Sequence, residues 1–289
     1  MKNLPFLAQR LFNTPLAITP AKAEMVMAAL ADRFGITKLF RANGDALAMS
    51  EFGIDEADEE PDYRYYEVVR GVAIIPISGT LVQKSGYMRP TCGMTGYDGI
   101  RANLSMALDD ASVRAIMLDI DSGGGEVAGC FDLVDAIYSA RGKKPIWAVL
   151  SEAAYSAAYA LASACDKIIV PRTGGTGSVG VICAHVDFSK ALAKDGITVT
   201  MIHYGARKAD GSEFTPLSDE ALARFQADVD ALGEMFVSTV ARNRKLSVAK
   251  VRGTQASTYL GAAGVAIGFA DEVMSPDEAF RSLLAELGD

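Results

Sequence analysis

The chain has 289 residues, half of them hydrophobic, which is enough to bury a sizeable core in one large domain or a domain with an appendage. A formal charge of −8, with the 28 Lys and Arg residues dispersed, excludes a nucleic-acid face, because phosphate binding needs clustered cations. The four cysteines, Cys92, Cys130, Cys165 and Cys183, contain no Cys-x-x-Cys pair and predict reduced, buried thiols rather than a zinc site or a disulfide framework.

At the N-terminus, Pro5 and Arg10 interrupt the sequence before an apolar core of signal-peptide length develops. Nowhere is there an apolar run of the roughly 20 residues a membrane span needs, so a soluble, cytoplasmic protein is expected, without membrane partners. Met25, Val26, Ala29, Leu30 and Phe34 recur at helical spacing behind Thr19 and Pro20, predicting a small helical segment within residues 1–50. Residues 51–65 include seven acidic side chains between Glu51 and Asp62 and read as a solvated linker.

From residue 66 to 289 the pattern alternates between strand and helix. Strands are predicted over Val72–Val82, Val113–Ile120, Pro145–Leu150, Ile168–Val170, Val179–Cys183 and Ile197–Ile202. Helices are predicted over Tyr97–Leu108, Val127–Tyr138, Ser156–Ala164, Phe188–Lys194 and Ser218–Asn243. Such alternation gives an α/β fold, a parallel sheet with flanking helices.

Three separated segments carry candidate chemistry. Asp121-Ser122-Gly123-Gly124-Gly125-Glu126 follows a buried strand and reads as a strand-to-helix turn whose N–H groups approach a ligand closely; glycine is also what a turn wants on purely conformational grounds. The run has neither the Gly-Lys-Ser/Thr of a phosphate loop nor a dinucleotide fingerprint. Ser156, in Tyr155-Ser156-Ala157-Ala158-Tyr159, starts an Ala-rich helix, a good seat for a nucleophile and equally for a packing serine or helix cap. The Gly-x-Ser-x-Gly elbow of α/β-hydrolases is absent.

A serine nucleophile needs a base. His185 and His203, the two histidines, each stand near a strand end without a readable Asp partner and read as structural. Lys208, in the loop Gly205-Ala206-Arg207-Lys208-Ala209-Asp210-Gly211, is the alternative, either an ordinary exposed lysine or a base whose pKa is lowered by burial or by a neighbouring cation.

The order and flanks of these segments, with Gly79-Thr80-Leu81-Val82, Gly93-Met94-Thr95-Gly96-Tyr97, Gly177-Ser178-Val179-Gly180-Val181 and Gly268-Phe269-Ala270-Asp271-Glu272, resemble the signal peptide peptidase A-type serine peptidases, and among them the capsid-processing peptidases of lambdoid phages. The resemblance implies a Clp protease/crotonase-like spiral ββα fold. It implies Ser156 as nucleophile, Lys208 as general base, Ser178 as a serine that orients the lysine, and the N–H groups of Gly124 and Ala157 as the oxyanion hole. Here Gly123 replaces the family's usual proline, and Ala157-Ala158 replaces its common Gly-Gly.

No cofactor or metal is implied. The implied partners are phage scaffold, portal or capsid proteins, in the host cytoplasm or inside the procapsid, and further copies of the chain in a ring where the lysine of one copy reaches the serine of the next. A housekeeping signal-peptide-type peptidase, a crotonase-like acyl-CoA enzyme and a non-catalytic scaffold component are the competing readings.

Overall fold

A computed structural model of the chain describes residues 15–19, 66–84 and 93–288. In chain order it comprises β1 (Leu16–Ile18), β2 (Glu67–Val69), β3 (Val72–Val82), β4 (Met94–Gly96), α1 (Tyr97–Asp109), β5 (Ala115–Glu126), α2 (Cys130–Ala140), β6 (Ile146–Ala154), α3 (Ala157–Ser163), β7 (Lys167–Val170) and β8 (Gly175–Gly177). Then come α4 (Ser189–Lys194), α5 (Asp219–Arg244), α6 (Val248–Arg252), β9 (Thr258–Leu260), α7 (Gly261–Ile267), β10 (Glu272–Val273) and α8 (Pro276–Glu286).

Strands β10, β7, β6, β5 and β3 lie side by side and parallel, with β2 antiparallel at the far edge. The reason is legible along β5, where side chains alternate between two buried faces. Ile116, Leu118 and Ile120 enter a core covered by α1, α2 and α3, through residues such as Ile100, Leu133 and Leu161. Ala115 and Met117 point the other way, into a smaller core with Trp147, Val149 and Ile169 closed by Ala279, Leu283 and Leu284 of α8. Helix α8 starts on a full capping box, Ser275 with Glu278, and has Pro276 at its first position. The expected parallel sheet with flanking helices is therefore the observed architecture.

Several elements differ from the sequence reading. Asp121–Gly125 is not a turn, because β5 runs on through the glycines to Glu126, and α2 begins only at Cys130. Glycine is demanded there by close approach: a β-carbon on Gly125 would stand 1.8 Å from the Leu81 carbonyl oxygen of β3. Val179–Cys183 is not a strand, since only Ile182 makes an isolated bridge, and the neighbouring strand is β8, at Gly175–Gly177. Ile197–Ile202 has alternating apolar residues but, among the described residues, no strand to pair with, and it lies exposed in irregular backbone. Cys130 and Cys165 are buried free thiols as expected, whereas Cys183 is only partly buried. Cys92, the helix expected near residues 21–34 and the acidic linker lie outside the described residues.

Candidate active site

Strand β6 ends at Ala154, and its continuation is anchored to the glycine-rich end of β5 by the Tyr155 N–H, which donates to the Ser122 carbonyl at 3.0 Å. The chain then turns sharply into α3 at Ser156. Its backbone has φ 54° and ψ −121°, a conformation that L-residues with a side chain rarely adopt. Surrounding bonds hold it there: the Ser156 N–H donates to Gly177 of β8 at 2.9 Å, and its carbonyl accepts from Ala160 at 2.9 Å. The sequence lacks the Gly-x-Ser-x-Gly pattern, yet the strained strand-to-helix elbow associated with that pattern is present.

All of α3 is buried, so the small side chains of Ala157, Ala158 and Ala160 are what let the helix sit tightly beneath the sheet edge. Ser156 itself is 1% exposed, and its Oγ has one contact, a long 3.5 Å hydrogen bond to the Gly180 carbonyl. Neither histidine is its partner; His203 Nδ1 instead lies 3.0 Å from the Gly205 carbonyl.

Gly124, at φ 99°, faces this elbow across the sheet. A β-carbon placed on it would be 3.0 Å from Ser156 Cβ, 3.1 Å from the Ala157 nitrogen and 2.3 Å from the Ala17 carbonyl oxygen, so the position accepts only glycine. The structure thus brings Gly124, Ser156 and Ala157 into one corner. The Gly124 N–H donates to Ser122 Oγ at 3.1 Å, while Ser122 Oγ–H donates to the Gly79 carbonyl at 2.6 Å. Beyond the glycines, the buried Glu126 carboxylate accepts from the Gln83 N–H at 2.6 Å and its carbonyl accepts from the Tyr97 hydroxyl at 2.7 Å, which fixes the strand end.

Ser178 is 8% exposed and adjoins the Gly177 carbonyl that holds Ser156; it too has a positive φ, 55°, and its N–H donates to Ser257 at 2.9 Å. Lys208 is not gathered into this corner by contacts within the chain. It is exposed, its N–H bonds to Gly205, and among the described residues its ammonium makes no hydrogen bond or ion pair. The two buried thiols among the described residues are poor nucleophiles: burial pushes Cys130 up to about 12 and Cys165 further, so both stay protonated at neutral pH. Among the described residues no group of three His, Cys, Asp or Glu side chains could hold a metal ion, and no helix is long and apolar enough to cross a membrane.

Sequence reasoning missed β1. Its signal was a short apolar triplet, Leu16-Ala17-Ile18, bracketed by Pro15 and Pro20, which stop a helix on either side.

Residues 139–288, which include Ser156, Ala157, Ser178 and Lys208, match peptidase family S49. The chain belongs to this family. It is 40% identical to the head-tail preconnector protein GP5 of Enterobacteria phage P21, across 99% of this chain, and 39% identical to the capsid assembly protease C of Escherichia phage lambda, across 96%. It spans 58% and 65% of the lengths of those two relatives. Protease 4 of Haemophilus influenzae is 27% identical over 84% of the chain and 39% of its own length. A solved ClpP1 mutant from Listeria monocytogenes superposes with a TM-score of 0.44 at 11% identity, covering 71% of this chain and 92% of that one, a likeness that adds nothing to the topology described above.

Proposed function

We propose that this family S49 member is a serine endopeptidase in which Ser156 is the nucleophile and Lys208 of another copy of the chain is the base, and that it trims scaffold, portal or capsid proteins as a phage head matures. The observation that carries the reading is the strained elbow at Ser156, beside Gly124 and the Ala157 nitrogen. Strain of this kind persists only where surrounding structure imposes it, and it projects a short side chain out of the sheet toward an incoming carbonyl. The substrates follow from the likeness to proteins named for capsid assembly and head-tail connection.

In this scheme the neutral Lys208 amine takes the Ser156 hydroxyl proton as Oγ attacks the peptide carbonyl carbon, and the carbonyl electrons move onto oxygen. That anion is held by the N–H groups of Ala157 and Gly124. The second now bonds to the neutral Ser122 hydroxyl, and a full negative charge competes for it because charge-assisted hydrogen bonds are roughly twice as strong. As the tetrahedral adduct collapses, the lysine gives its proton to the departing amine and the acyl group stays on Oγ. A water then gives one proton to the same lysine as its oxygen attacks the acyl carbonyl carbon, and the lysine hands that proton to Ser156 Oγ as the acid leaves. Ser178, next to the carbonyl that holds Ser156, orients the incoming amine.

Lys208 sits in the exposed stretch between Cys183 and Leu217, where Ile202 is 95% and Tyr204 100% exposed. Apolar side chains that open to solvent support a neighbouring copy as the cover, with the lysine brought to a foreign serine. The test is complementation. Ser156→Ala and Lys208→Ala proteins, each assayed on purified capsid components by mass spectrometry, are expected to lose turnover by roughly 10⁶-fold for the serine. Mixed after dissociation and reassembly, they should regain a substantial fraction of it through hybrid sites. Full activity of Ser156→Ala would overturn the nucleophile, and no recovery in the mixture would place the lysine in the same chain as its serine.

A further inference from the structure

Where β6 leaves β5 after Ala154, the flank of β5 that β6 had covered is open, and Ser156 stands at that opening. A stretch of the chain's own N-terminal segment fills it. Strand β1 runs antiparallel to β5 with Leu16 opposite Glu126, Ala17 opposite Gly125 and Ile18 opposite Gly124. The ladder extends at one end through the Thr19 N–H, which donates to the Gly123 carbonyl at 3.0 Å. The other side of β1 is also paired: Leu16 and Ile182 exchange both backbone bonds, Leu16 N–H to Ile182 O at 2.8 Å and Ile182 N–H to Leu16 O at 2.9 Å. The short strand β1 and its flanking residues are therefore clamped between two walls, one of them the glycine run.

The placement of its carbonyls is telling. The point a Gly124 β-carbon would occupy is 2.3 Å from the Ala17 oxygen, 3.0 Å from Ser156 Cβ and 3.1 Å from the Ala157 nitrogen. Ala17 itself, the residue at this register, is small and fully buried. An extended peptide with a small residue at this register, hydrogen-bonded on both edges, is what the groove is shaped to hold.

We propose that residues 15–19 are a built-in occupant of the peptide groove, competing with the substrate strand and having to vacate before turnover. The inference rests on Ser156 being the nucleophile of that groove. Both strands would need the same N–H and C=O groups of residues 123–127 and Ile182, so occupation is mutually exclusive. A ligand's apparent affinity falls in proportion to the fraction of molecules whose groove is open. The segment therefore sets how readily the peptidase accepts a substrate, and partners that pull on the N-terminal region would raise activity.

Two arms test this, one of which needs no catalysis. In the first, Leu16→Cys is combined with Ile182→Cys, a hydrogen-bonded antiparallel pair whose spacing suits a disulfide. Oxidation should lower cleavage of an internally quenched peptide with alanines flanking the scissile bond by tenfold or more, and dithiothreitol should restore it, while the unmodified chain shows no such response. A cross-linked protein that cleaves as fast as its reduced form overturns the proposal. In the second arm, a fluorescent synthetic peptide copying residues 13–22 is titrated into Ser156→Ala protein with and without Leu16→Pro, which deletes the donor to Ile182. Binding at least tenfold tighter to the proline variant is expected, and equal affinity overturns the proposal even if the chain proves not to be a peptidase. Mass spectrometry of the intact chain closes the test: cleavage between Ala17 and Ile18 would make the segment a substrate instead of a standing occupant.

Discussion

The two halves of the candidate site are built in opposite ways. At Ser156 both the N–H and the carbonyl are hydrogen-bonded, β5, β6 and β8 converge on the elbow, α3 is buried along its whole length, and Gly124 tolerates no side chain. The segment that carries Lys208 has one short helix, α4, with no buried residue, and a run of apolar side chains facing water. A nucleophile has to be held in a costly conformation, which takes a rigid sheet edge. A base needs only to arrive with its amine at the right place, and it can be delivered by a surface that becomes ordered on contact. In the proposed dyad, assembly and not folding completes the site.

The sharpest way to break that contrast is to disturb the rigid half without touching a reacting atom. Gly124→Ala forces a methyl group against the Ala17 oxygen and toward Ser156 Cβ and the Ala157 nitrogen, at a residue with φ 99°. Displacing one oxyanion donor by this route should lower kcat by about 10²–10³-fold, read from steady-state kinetics on a quenched peptide at saturating concentration. An unaltered kcat would mean that the corner around Gly124 is not where the anion develops.

A smaller effect is expected from the support beneath the elbow. Arg244, at the end of α5, donates to both carboxylate oxygens of Asp271 at 2.7 and 3.0 Å and to the Gly268 carbonyl at 3.0 Å. Asp271 also accepts from the Ile168 N–H of β7 at 2.7 Å, and the next-but-one residue, Phe269, packs on Tyr159 of α3 with ring centroids 4.9 Å apart. Arg244→Ala leaves Asp271 without its cation. Since that carboxylate keeps 34% of its side-chain exposure, the loss should fall at the lower end of the range for broken buried pairs, about 3 kcal/mol, seen as a lower urea midpoint at unchanged m-value.

The rigid half was also the half the sequence spelled out. Val72–Ile77 and Ala115–Leu118 are continuous apolar runs because a parallel strand is buried on both faces, and the strands they imply are where the reading placed them. The reading failed where structure depends on a distant partner. Gly123–Gly125 looks like a turn because glycine is a poor strand former in isolation; only the backbone of β3, 1.8 Å from where a Gly125 β-carbon would be, explains a strand there. Three residues of β1 are too few for a pattern, and their two neighbours in the sheet lie more than a hundred residues away in sequence. Ile197–Ile202 has a strand's alternation and no strand partner among the described residues. Ser156 and Lys208 were singled out as candidates through their flanks, whereas the elbow geometry at Ser156 has no local sequence rule here.

That unpaired alternation leads to the smallest effect and the one that separates folding from assembly. Tyr204→Ser and Ile202→Ser remove two almost wholly solvated side chains, so the isolated chain should lose no more than about 0.5 kcal/mol of stability. If the lysine-bearing segment is a contact between copies, the same pair should lower the sedimentation mass at micromolar concentration and reduce turnover in parallel, with activity recovering as the protein is concentrated. A mass and rate unaltered by the substitutions would put Lys208 and Ser156 within a single chain, and the exposed apolar run would then need another partner.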